Sequence, residues 1–146
     1  MAGPEISSVL YVCGRNAVRS PMAQALTDAL FPRKFHTGSA GVLPGEADPF
    51  VDVILAEVGI DRGDQQPMAL EELPDLCFDL AITLSPEAHH CTLELARTQA
   101  IAVEYWPTPD PTLAIGSRMQ MLDAYRELRE YLATRIKERL GQDNGS

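Results

Sequence analysis

Apolar positions along this chain fall into two alternating patterns, short unbroken runs and stripes at helical spacing. The run at 6–12, Ile-Ser-Ser-Val-Leu-Tyr-Val, is rich in β-forming residues and predicts a buried strand. From Ser20 and Pro21 the pattern turns helical. Serine suits an N-cap, proline suits the first helical position, and Met22, Leu26, Ala29 and Leu30 form an inner stripe. Residues 34–41, Lys-Phe-His-Thr-Gly-Ser-Ala-Gly, predict a shorter second strand that ends in a glycine turn. Asp48 and Pro49 open another helix with the same cap chemistry. Val51, Ile54, Leu55 and Val58 form its apolar face, and Gly59 stops it.

Residues 61–67 are a polar loop, and Ala69–Asp75 predicts one or two helical turns. Residues 78–84, Phe-Asp-Leu-Ala-Ile-Thr-Leu, read as a third strand, and Ser85-Pro86-Glu87 starts a helix that reaches about Gln99. Residues 101–106 predict a fourth strand, while 107–116 carry three prolines and are expected to be irregular. Ser117 and Gln120 make a capping box for the last helix. Leu122, Tyr125, Leu128, Leu132, Ile136 and Leu140 stripe that helix, Gly141 ends it, and 141–146 reads as a flexible tail.

Strands alternating with helices imply right-handed βαβ units. The expected architecture is α/β: one domain over 1–146, core about 6–140, with a four-stranded parallel twisted sheet flanked by helices on both faces. No repeat, linker or low-complexity tract interrupts it. Ligands of such sheets sit beyond the carboxyl ends of the strands. Cys13 follows the first strand and Asp110 follows the fourth, so topology can join residues far apart in sequence.

Charge narrows the partners. A net charge of -9 argues against nucleic acid, which demands a basic face, but leaves room for one small anion where a few cations converge. Three cysteines, Cys13, Cys77 and Cys91, are an odd number and suggest no disulfide framework, so a reducing cytoplasm is the expected location. The first ten residues do not resemble a signal peptide, and no apolar run is long enough for a bilayer, so no membrane role is expected.

The stretch from Cys13 to Ser20 carries the candidate chemistry. Gly14 and Asn16 tolerate unusual dihedrals, so the backbone of Gly14, Arg15, Asn16, Ala17 and Val18 could curl and turn its N–H groups inward as an anion nest. The helix start adds its positive end, and Arg19 offers a planar fork for two oxyanion oxygens. The same field would lower the pKa of Cys13, making it a thiolate at neutral pH. Asp110, stiffened between two prolines, could protonate a leaving oxygen and later deprotonate a water. This scheme requires no metal and no other cofactor, and no metal-ligand pattern is evident.

Plainer readings stand beside these. Cys13 could be a packed strand-end cysteine, Arg15 and Arg19 solvated charges, and Asp110 simple turn chemistry. Cys77, Cys91 and Trp106 read as core. His89-His90-Cys91 reads as solvated and packed side chains, because adjacent histidines on a helix diverge.

These residues resemble the low-molecular-weight protein tyrosine phosphatase superfamily, which includes related arsenate reductases. The resemblance rests on Val-Cys-Gly-Arg-Asn-Ala-Val-Arg-Ser-Pro from Val12, Ser-Ala-Gly at 39–41, Phe78–Ser85 and Pro-Asp-Pro at 109–111, and it covers about Ile6 to Leu140. It implies Cys13 as nucleophile, Arg19 as ligand of the phosphoryl oxygens, Ser20 as a hydrogen-bond partner of the sulfur, and Asp110 as general acid and then base. It also implies that Asn16 holds the loop through Ser39, and that the sheet has four parallel strands.

There are departures from the pattern. Gly14 stands one place earlier than the usual glycine, and Arg15 occupies that place. Val18 stands where many members carry a second cysteine. Thr112 and Leu113 stand where many phosphatases have tyrosines, leaving Tyr105 and Trp106 as candidate aromatic surface. The expected activity is hydrolysis of aryl phosphates, protein phosphotyrosine above all, with a phosphorylated protein or small aryl phosphate as partner. One alternative is arsenate reduction, which needs two further thiols. Cys77 and Cys91 are available, but Ser85 stands where the reductases carry the first of theirs. Another is a non-catalytic oxyanion or phosphoprotein-binding module that needs Arg19 but not Asp110. The sequence does not specify an oligomeric state.

Overall fold

The first strand sets the layout, because its alternate side chains feed two separate cores. In the computed structural model, which describes residues 6–15, 18–43, 45–63, 68–73 and 78–141, β1 spans Ser8–Arg15. Val9, Tyr11 and Cys13 face one apolar cluster, and Leu10 and Val12 face the other, as the two-residue period of a strand requires. β2 (His36–Leu43), β3 (Leu80–Thr83) and β4 (Ala102–Tyr105) complete a sheet of order β2-β1-β3-β4. All its neighbours pair in parallel. The chain therefore turns from one side of β1 to the other, which opens a crevice at the carboxyl ends of β1 and β3.

α1 (Arg19–Leu30), α2 (Pro49–Ala56) and α4 (Arg118–Gly141) cover the Cys13 face. α3 (Pro86–Ala96) covers the other, together with a 3-10 turn at Leu70–Glu72. All six residues of the α4 stripe are buried. This is the single α/β domain with a four-stranded parallel sheet that the alternating pattern predicts.

Three predicted caps form. Asp48 accepts from the Phe50 N–H at 2.9 Å, and Ser85 accepts from the Ala88 N–H at 3.2 Å. Ser117 and Gln120 exchange bonds of 3.2 and 2.8 Å.

Other expectations need correction. β1 runs on to Arg15, beyond the predicted end at 12, because Arg15 pairs with Leu43 of β2. α1 starts at Arg19 with Val18 in the cap position, and no side chain caps it. Ser20 therefore lies inside the first turn, fully buried. Ala29 is exposed, whereas every residue from Ser20 to Thr27 is buried, since this helix is covered by the sheet on one side and α4 on the other. Val58 is exposed too, past the end of α2. α3 stops at Ala96, short of Gln99. The proline-rich 107–116 segment holds a 3-10 turn at Pro111–Leu113. Among the described residues no helix is long and apolar enough to cross a membrane.

Candidate active site

Cys13 lies in the last third of β1, where the parallel register places it beside Gly41 of β2, and it is 1% exposed. The Ser20 hydroxyl is 3.0 Å from its sulfur and 3.3 Å from the Ala40 carbonyl. The Ser20 N–H, in the first turn of α1, is also directed at the sulfur. Ser20 thus serves the thiol and leaves the helix start uncapped.

The thiol itself donates to the Arg15 carbonyl. The Arg15 backbone also hydrogen-bonds the sulfur in a way that favours its charged form, as the Ser20 N–H does. Burial pushes the Cys13 thiol up, against the opposing pull of the Ser20 hydroxyl and N–H and of the Arg19 charge.

Arg19, the first residue of α1, spans the carboxyl ends of the strands. Its Nη1 donates to the Thr108 carbonyl at 3.0 Å and to the Leu84 carbonyl at 3.4 Å. Its Nη2 is 4.0 Å from Asp110 Oδ2. Asp110 is oriented by its own turn. Oδ1 accepts from the Thr112 N–H at 2.9 Å and from the Thr112 hydroxyl at 2.6 Å, leaving Oδ2 toward Arg19.

An open cleft of about 400 Å³ is lined by Gly14, Arg15, Val18 and Arg19, by Asp110 and Thr112, and by Glu87 of α3; Cys13 and Ser20 are buried and do not themselves line it. Cys13 and Ser20 lie within hydrogen-bond reach of each other, and Arg19 links α1 to the loop of Asp110. Asn16 and Ala17 lie outside the described residues, as does Cys77, and with Asn16 goes its expected link to Ser39. Ser39 itself sits on β2 opposite Tyr11.

The remaining candidates are engaged elsewhere. Cys91 packs against the cluster of Leu10, Val12 and Ala88, on the sheet face opposite Cys13. Trp106 is core, 2% exposed and tilted against Tyr11 at 6.4 Å. Tyr105 stacks on His89 at 4.9 Å, and His89 Nδ1 is 2.9 Å from the Thr83 hydroxyl. Neither aromatic lines the cleft. Among the described residues no group of three or more His, Cys, Asp or Glu side chains could hold a metal ion.

Two participants escaped the sequence reading. Thr112 orients Asp110, and the Asp-Pro-Thr order was a legible Asx-turn signal for it. Glu87 reads locally as a first-turn acid of α3, and only the tertiary structure brings it to the cleft.

Residues 8–140 match the family described as low molecular weight phosphotyrosine protein phosphatase. The chain belongs to that family. Its relatives carry two kinds of name. A glutaredoxin arsenate reductase of Synechocystis sp. is 28% identical over 132 residues, covering 90% of this chain and 95% of the relative. A solved tyrosine phosphatase of Erwinia amylovora superposes with a TM-score of 0.77 at 21% identity, covering 94% of this chain and 93% of that one, a likeness of fold. A solved arsenate reductase in its phosphate binding state gives a TM-score of 0.78 at 25% identity, covering 94% and 98%. The chain is thus a member of a family that includes both phosphatases and arsenate reductases.

Proposed function

We propose that this protein hydrolyses phosphate monoesters with aryl leaving groups, phosphotyrosine in a protein or a small aryl phosphate, in a reducing cytoplasm. The observation that carries this reading is that Arg19 joins the helix start beside the Cys13 sulfur to the loop that presents Asp110. Phosphate binding would swing the Arg15 carbonyl away from the sulfur, and the thiol proton would leave to water. The thiolate then attacks phosphorus, so that a P–S bond forms as the ester P–O bond breaks, and Asp110 protonates the departing oxygen. Asp110 next takes a proton from water, whose oxygen attacks phosphorus. The P–S bond breaks, and the Ser20 hydroxyl supports the sulfur as it departs.

A second reading, arsenate reduction, is favoured by the names of the curated relatives, arsenate reductases at 24–28% identity. Arsenate has the shape and charge that this cleft suits. Reduction then needs two electrons from thiols. Here Ser85 serves as the N-cap of α3, and Cys91 sits on the far face of the sheet. The electrons would then come through Cys77, which lies outside the described residues, or from an external thiol such as glutathione or a thioredoxin.

The deciding experiment measures p-nitrophenyl phosphate hydrolysis by the parent, Cys13→Ser and Asp110→Ala proteins, with arsenate-dependent oxidation of thioredoxin and of glutathione in parallel. Phosphate turnover abolished by Cys13→Ser, and reduced about 10²- to 10⁴-fold by Asp110→Ala, supports the hydrolase. Arsenate-dependent thiol oxidation without phosphate turnover replaces it with the reductase. Phosphate binding with neither activity leaves an oxyanion-binding module.

A further inference from the structure

Glu87 is a carboxylate in the wall of a cleft suited to a dianion. It is the second residue of α3, exposed to solvent, and it lines the cleft together with Arg15, Arg19 and Asp110. Its position against the nucleophile loop is tight. A Cβ placed on Gly14, the residue next to Cys13, would lie 3.2 Å from Glu87 Oε1. Among the described residues its carboxylate has no hydrogen-bond or ion-pair partner, unlike Asp110, which is held by Thr112 and faces Arg19. A charge this close to the phosphoryl site weakens any oxyanion and repels acidic groups that accompany it. The same charge attracts a cation carried next to the phosphate.

Resting on the hydrolase reading, we propose that Glu87 selects phosphate esters whose leaving group bears positive charge beside the phosphate, such as a phosphotyrosyl segment flanked by lysine or arginine. The position fits selection better than chemistry, because the proton donor's place is already filled by Asp110 across the cleft. Glu87 discriminates by attraction to basic neighbours and by repulsion of acidic ones. Interaction between exposed charges is modest, so each flanking charge should change kcat/KM by about two- to fivefold, and the preference should fade as added salt shortens the screening length.

The test uses three phosphotyrosyl peptides that differ only in having lysine, alanine or glutamate beside the phosphorylated residue. They are assayed with the parent, Glu87→Gln and Glu94→Gln proteins. Glu94 lies on the same helix, paired with Arg97 at 3.2 Å and outside the cleft, and controls for net charge. The parent should prefer the lysine peptide over the glutamate peptide. Glu87→Gln should shrink that ratio about two- to fivefold per charge while Glu94→Gln preserves it. An unchanged ratio in Glu87→Gln, or an equal change in Glu94→Gln, overturns the proposal. Calorimetric affinities of the same peptides for Cys13→Ser, with and without Glu87→Gln, read the selection without turnover. If the parent hydrolyses none of the peptides the hydrolase reading falls, and the binding ratio still decides the role of Glu87. If no peptide binds, the proposal falls with it.

Discussion

Arg19 donates to the carbonyl of Thr108 at 3.0 Å, tying the start of α1 to the loop that carries Asp110. The same guanidinium thus holds that loop and also approaches Asp110 itself, 4.0 Å from Oδ2. One guanidinium does both because its planar fork presents several donors in fixed directions.

Arg19→Lys keeps the charge and removes the fork. A single ammonium cannot reproduce the contacts to Thr108 and Leu84 from one nitrogen and the approach to Asp110 from another. Unfolding free energy should fall by about 1.5–3 kcal/mol, the range for hydrogen bonds to a charged group. Phosphate affinity should fall about tenfold or more. Calorimetric titration with inorganic phosphate and chemical denaturation measure the two effects separately.

Ser20→Ala removes the hydroxyl 3.0 Å from the sulfur. That hydroxyl favours the thiolate, so its loss moves the Cys13 pKa further up. The pH profile of iodoacetamide alkylation at Cys13 should move to higher pH. Turnover should fall by roughly ten- to a hundredfold, the worth of one hydrogen bond to a charged group.

Stability should decline in alkali because of Cys13. Its folded pKa lies above the unfolded value of about 8.5, so the fold holds the proton more tightly than the unfolded chain does. That contribution is complete below about pH 8.5 and is lost as pH rises toward the folded pKa. Thermal unfolding between pH 8 and 10 should show the decline, and Cys13→Ala should flatten it. Buried Tyr11, whose pKa is also raised, contributes only above about pH 10.

In acid the sensitive group is Glu57. It receives hydrogen bonds from Arg126 and Arg129 of α4, which hold its pKa down to about 2. A lowered carboxylate pKa stabilises the fold above the unfolded value of about 4.3 and loses that stabilisation as pH falls toward 2. Glu57→Gln should flatten the stability slope over that window. Because the group is solvated, salt should flatten it too. Thermal unfolding from pH 2 to 6 at two ionic strengths checks both.

The α4 stripe was readable because helical spacing is local: six residues recurring along one face can only be buried together. The caps at Asp48, Ser85 and Ser117 were readable for the same reason. Ser20 was misread by identical logic. Serine before proline is good cap chemistry, yet here a sulfur from another element takes the hydroxyl. The stripe of α1 failed at Ala29 because a helix covered on two sides has no single inner face.

Local residue order sets the alternation of strands and helices and the spacing of Cys13, Arg19 and Ser20, since both depend on neighbours within a few residues. Tertiary structure decided which sheet face receives the sulfur, that the Arg15 carbonyl meets it, and that Cys91 falls on the opposite side. It also decided that Asp110 and Glu87 share one cleft. Those relations follow from strand order and register, which are settled by pairing between distant segments and by burial of a common core, and no local pattern encodes them.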